Sequence, residues 1–165
     1  MGKIENIPVK AYKNLANRIS SKALEVVKMR YVISDGVGSV LEVLDNLPLN
    51  VQDDYLNSLA ETDIHLAEKI RESFITWPEI VDLPDKFLSN IMRTMDQETL
   101  VLSMMAAEEE LQTKVIQQMP ERMQMMIKSG MESRVDATPD EIESAQKKVL
   151  QKIRHEIKAA GGRPE

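Results

Sequence analysis

Two histidines and several acidic pairs are the side chains with the most obvious capacity for chemistry, and their spacing withholds it. His65 and His155 stand ninety residues apart, and neither has a second ligand at the spacing of a zinc or iron site. The chain has no cysteine, which removes thiolate ligands and any disulfide framework. Asp53-Asp54 and Glu108-Glu109-Glu110 are adjacent in sequence and point different ways around a helix, which makes them surface charge. No Gly-x-Ser-x-Gly elbow, no glycine-rich phosphate loop ending in Lys-Ser/Thr and no Asp-x-Asp calcium loop occurs. Gly36-Val37-Gly38 falls between predicted helices rather than after a strand, so it reads as a turn and not as a nucleotide fingerprint. No catalytic, cofactor-binding or metal-binding residue is assigned. The expectation is a non-enzyme.

Methionine is the chemical oddity that remains. Nine of the eleven fall between Met92 and Met131, with Met119, Met123 and Met126 at helical spacing. Such a stripe serves either as soft core filler or as an adaptable binding groove. Met104-Met105 and Met125-Met126 lean toward the groove, because adjacent residues cannot all face one core.

These side chains must be positioned by helices. Nowhere do Val, Ile and Thr alternate in period two between turn signals, so no strand is predicted. A first helix starts near Pro8 and runs to about Ile33, with Tyr12, Leu15, Ile19, Val26, Met29 and Ile33 on one apolar stripe. Three short helices follow: Val37 to Asn46, Asn50 to Glu61 with Asn50 as a cap, and Asp63 to Phe74. After Trp77-Pro78 the pattern restarts. Helices are expected from Pro84 to about Met95, from the Asp96 cap to about Ala107, from Glu108 to Gln118, and from Pro120 to Ser129-Gly130. Thr138-Pro139-Asp140-Glu141 carries the strongest start signal, a capping hydroxyl with a carboxylate three residues on. That last helix ends at Ala160-Gly161-Gly162.

Composition sets the class. Hydrophobic residues make up 42% and charged residues 29% of 165 residues, as in globular domains. No apolar run approaches the roughly 20 residues of a membrane span, and MGKIENIPVK lacks the features of a secretory signal. A cytoplasmic protein is expected. The net charge of −6 is uneven: residues 1–30 hold seven basic and two acidic residues, leaving 14 basic against 25 acidic beyond. A basic segment on an acidic body suits an acidic protein partner or an anionic surface. Nucleic acid is disfavoured, since aromatic stacking platforms are scarce at 4% aromatic.

A family resemblance lies in the order of these segments. EKIRESFITW (Glu68 to Trp77), followed by Glu79-Ile80-Val81-Asp82-Leu83, is similar to the hinge of the flagellar motor switch family FliG, where a Met-Phe-x-Phe segment joins two helical subdomains. DGVGSVLEVLDNL (Asp35 to Leu47) resembles the Gly-Gly-Val segment that opens the family's C-terminal region. MDQETLVLSMMAAEEELQTKVIQQMPERMQMMI follows the family's Val-Asp, Leu-x-x-Ala-Leu-Lys-Gly-Ala and Asn-Met-Ser-x-Arg segments in order and spacing. EIESAQKKVLQKIRHEIKAAGG resembles its Val-Glu-x-Ala-Gln ending.

The resemblance implies an all-α chain in three parts. These are a basic N-terminal linker-like helix over 1–34, a small armadillo-like helical unit and hinge over 35–77, and a FliG C-terminal-like helical bundle over 78–165. The hinge falls on Phe74, Ile75, Thr76 and Trp77. The family's torque-associated lysine falls at Met105, its first arginine at Arg122, its acidic pair at Ser129 and Gly130, and its second arginine at Thr138. Four of five charges are therefore replaced, with Lys128, Glu132 and Arg134 on adjacent turns as candidate substitutes. What the resemblance implies is a non-enzymatic component of a flagellar-type rotor, located at the cytoplasmic face of the inner membrane. Its expected partners are ring neighbours, FliM-like or stator-like proteins and further copies of itself, with Arg122, Met105, Met123 and Met126 as contact residues. The alternative is an adaptor or regulator on the same scaffold that bears no torque.

Overall fold

The computed structural model describes residues 36–165, and the basic segment expected to form the first helix lies outside the described residues. All regular structure among the described residues is helical. The chain divides into two compact units, one ending at Phe74 and the other spanning Ile75–Glu165.

In the first unit, α1 (Gly36–Asn46), α2 (Leu49–Thr62) and α3 (Ile64–Arg71) are each too short to persist alone. Their shared apolar core supplies the stability. Val40, Val43, Leu44 and Leu47 meet Val51, Tyr55, Leu56 and Leu59, and Leu66, Ala67, Ile70 and Phe74 complete the cluster. Gly36 and Gly38 are not the turn that the sequence suggested. They form the first turn of α1, where no intrahelical N–H bond is made in any case. Nor does Asn50 cap α2. The helix begins one residue earlier behind Pro48, whose φ of −56° is already near-helical and whose carbonyl accepts from Val51 N at 3.0 Å. Asp63 does cap α3, accepting from Leu66 N at 3.0 Å.

One corner design recurs. Gln52, 1% exposed, donates its amide to the Leu44 and Leu47 carbonyls at 2.9 and 3.3 Å, adding to the bond that Leu44 accepts from Leu47 N and reaching the Leu47 carbonyl just past the end of α1. In the second unit Gln112 does the same to Met104 and Ala107, at 2.7 and 3.2 Å. Gln124 reaches the Met119 carbonyl at 2.9 Å. In each case the glutamine is the fourth residue of its helix and reaches back over the preceding turn.

The second unit opens with a 3₁₀ turn (Pro78–Asp82) that the sequence did not signal. Then come α4 (Asp85–Met92), α5 (Gln97–Met105), α6 (Glu109–Gln117), α7 (Glu121–Ser133) and α8 (Pro139–Ala159). Helix α4 stops three residues short of the expected end, because Thr94 N and its hydroxyl both close on the Ile91 carbonyl, at 2.9 and 2.8 Å. Helix α5 is central: the six residues Thr99 to Met104 are all buried, so it has no solvent face over this stretch. It packs on α8, which offers Ala145, Val149, Leu150, Ile153 and Ile157, and on α7 from another side. Gln146 of α8 donates to the Ser103 carbonyl at 3.3 Å, giving that apolar contact one polar tie.

The helix starts follow the sequence closely here. Asp96 caps α5 through Thr99 N at 2.8 Å, and this bond holds its carboxyl below the usual range. Thr138 and Glu141 form the expected capping box on α8, and the bonds from Thr138 lower the Glu141 carboxyl likewise. At the other end, Gly162 N bonds the Ile157 carbonyl and Gly161 N that of Lys158, with Gly161 at φ +83°. That geometry favours glycine at this stop.

Candidate interaction face

Helix α7 is placed by one edge and leaves the other open. Ile127 is its one fully buried side chain, with Met123, Gly130 and Met131 half-buried along the same side. Gly130 is not the terminator that the sequence implied; the helix continues to Ser133. A Cβ at position 130 would stand 2.6 Å from Cγ2 and 3.2 Å from Cγ1 of Val101 on α5. Glycine is there because the two helices meet at that point.

The outer side carries Arg122, Met125, Met126 and Ser129. Met125 is 60% exposed and Met126 39%, two of the few large apolar side chains left in solvent among the described residues. Arg122 is exposed and makes no hydrogen bond or ion pair among the described residues. Residues three and four apart share a helix face, so Arg122 flanks both methionines. Beside this face, α6 and α7 border a cavity of about 400 Å³ lined by Gln112, Ile116, Gln124, Lys128, Met131 and Glu132.

The contact residues expected from sequence therefore separate. Arg122 and Met126 lie on the open face, Met123 turns half inward, and Met105 is half-buried at the last residue of α5, on another helix. Met125 is the most exposed of the described methionines, and its adjacency to Met126 is its one signal in the sequence. Arg134 is engaged at 3.0 Å with Glu98 of α5. Thr138 is the α8 cap and Gly130 a packing contact, so two of the four replaced charges occupy positions with structural duties.

The residues expected at the hinge separate as well. Phe74 belongs to the core of the first unit. Ile75 and Thr76 are buried at the start of the second, where the Arg154 guanidinium donates to the Ile75 carbonyl at 3.1 and 2.8 Å. The Glu79 carboxylate accepts from Thr76 N and its hydroxyl at 2.8 and 2.9 Å, and Arg163 lies 3.5 Å from Glu79. Among the described residues the Trp77 indole nitrogen is buried without a hydrogen-bond partner. Among the described residues no three His, Cys, Asp or Glu side chains gather as a metal site, and no helix is long and apolar enough to cross a membrane.

The all-helical fold of the described residues agrees with a family defined by sequence. Residues 57–161 match the FliG C-terminal domain, and the chain belongs to that family. It is similar to the flagellar motor switch protein FliG of Aquifex aeolicus, 27% identical over 154 residues, which is 93% of this chain and 47% of that protein. The FliG of Bacillus subtilis is 28% identical over 124 residues, 75% of this chain and 37% of that one. The chain thus spans less than half the length of these curated relatives. The solved full-length FliG from Aquifex aeolicus aligns with a TM-score of 0.51 over 94% of this chain and 49% of its own, at 27% identity. A FliG segment from H. pylori gives 0.52 over 87% of this chain and 69% of its own, at 21% identity, which is a likeness of fold.

Proposed function

We propose that this chain is a non-enzymatic component of a flagellar motor switch complex that works by protein–protein contact through the open face of α7. The observation that carries the reading is the exposed cluster of unpaired Arg122 with Met125 and Met126, on a family scaffold whose neighbouring positions are occupied by packing. Methionine adapts to varied apolar partners, and one unpaired guanidinium selects a carboxylate beside them. The partner is a motor protein at the cytoplasmic face of the inner membrane: a ring neighbour, a FliM-like protein or a stator-like protein. The hinge role of residues 74–77 and the linker role of residues 1–34 belong to the same proposal.

A second reading, an adaptor that bears no torque, is favoured by Gly130 and Thr138. An acidic side chain at 130 would place its Cβ 2.6 Å from Val101 Cγ2 on α5, so the packing there would have to shift, and an arginine at 138 would remove the hydroxyl that caps α8. Charge steering of the kind a rotor needs is then left to Arg122 and its exposed neighbours. Deleting the gene and scoring swimming separates the two. Loss of rotation supports a motor role, and normal rotation overturns it.

A further inference from the structure

The geometry points to Met125 and Met126 as a reversible oxidation site through which a hydroperoxide switches the α7 face from apolar to polar. This rests on the proposed docking role of that face. The chain has no cysteine, so thioether sulfur is its sole redox-active sulfur. Exposure grades the described methionines sharply: Met92, Met104 and Met119 are 0, 1 and 4% exposed, whereas Met125 and Met126 stand out in solvent. Susceptibility follows exposure, so among the described methionines the reagent reaches these two first.

The step balances without any further reactant. A sulfur lone pair attacks one peroxide oxygen; the S–O bond forms as the O–O bond breaks. The thioether is oxidised by two electrons, and the hydroperoxide is reduced to an alcohol, or to water for hydrogen peroxide, with its proton passing to the departing oxygen. The product oxygen is a hydrogen-bond acceptor. Arg122, three and four residues earlier on the same helix, is within reach to donate to it. The apolar pair thereby becomes polar and the guanidinium gains an intramolecular partner, both of which oppose docking. Neither sulfur belongs to the core, so the fold is retained.

The test treats the full chain with dilute hydrogen peroxide and follows each methionine by peptide mass spectrometry. Met125 is expected to convert about tenfold faster than Met104, with Met126 between them, no change in melting temperature, and reversal by methionine sulfoxide reductase supplied with a dithiol, which is oxidised to a disulfide as the sulfoxide oxygen leaves as water. Equal rates in the native protein, or a melting temperature that falls as Met125 converts, would overturn the proposal. Met125→Leu plus Met126→Leu removes the fast phase and leaves the fold as control. Capture of motor switch proteins from the host's lysate separates the two claims. Capture that survives oxidation but is lost with Met125→Asp sinks the modification alone. Capture that survives both sinks the docking face itself.

Discussion

Replacing Gly130 by Ala sets two effects of known size against each other. In a helix interior alanine is favoured over glycine by about 1 kcal/mol. The added methyl, however, falls 2.6 Å from Val101 Cγ2, roughly an ångström inside ordinary contact, and Val101 is buried with a stiff χ1. Overpacking of this kind costs about 1–3 kcal/mol. The net expectation is a loss of about 1 kcal/mol. Val101→Ala removes the obstructing methyls at its own cost of about 2 kcal/mol. In that background Gly130→Ala should change sign and stabilise by about 0.5–1 kcal/mol. Urea unfolding followed by Trp77 fluorescence reads both, since Trp77 is the one tryptophan and lies in the second unit. At a slope of about 2 kcal/mol per molar urea, the midpoint should fall by about 0.5 M in the first case and rise by a few tenths in the second. Stabilisation by Gly130→Ala in both backgrounds would refute the close approach of α5 and α7.

Gln52→Ala removes the side-chain donor to the Leu47 carbonyl, while the Leu44 carbonyl keeps its bond from Leu47 N, and should cost about 1–2 kcal/mol, read as a lower urea midpoint, whereas Gln52→Glu should be worse for placing a carboxylate against both carbonyls. Thr138→Ala removes half of the capping box and should cost about 1 kcal/mol, with amide exchange rising first in the opening turn of α8. Acidification should destabilise the second unit below about pH 4.5, where ordinary carboxyls begin to protonate. Asp96, Glu141 and Glu156 are all held below their usual range in the folded state, so the stability they confer is present at neutral pH and lost as each protonates. Asp96→Asn and Glu141→Gln should flatten that acid limb, seen as thermal midpoints against pH.

What could be read directly was whatever depends on neighbours in the chain. The Thr138–Glu141 box and the Asp96 cap involve groups three residues apart, and both stand as the sequence placed them. Gly130 misled because its reason lies on α5, at Val101, while in sequence it resembles a helix stop. Asn50 misled because a cap signal there competes with Pro48, which starts the helix one residue earlier. The three glutamine corners left no pattern of their own, since their acceptors are carbonyls at the end of the preceding helix. The methionine stripe divided for a similar reason. Periodicity grouped Met119, Met123 and Met126, but Pro120 interrupts the helix between the first and the second, so Met119 is buried while Met126 is not.

The docking role of α7 is tested most directly by affinity capture of the tagged full chain from its host, comparing the native protein with Met125→Asp plus Met126→Asp. Both substitutions lie on exposed helix surface, so circular dichroism melting should be unchanged to within a few degrees. Motor switch proteins are expected to be captured by the native chain and lost with the double variant at equal melting temperature. Motor switch proteins captured equally by both, or absent from both, would contradict the docking role.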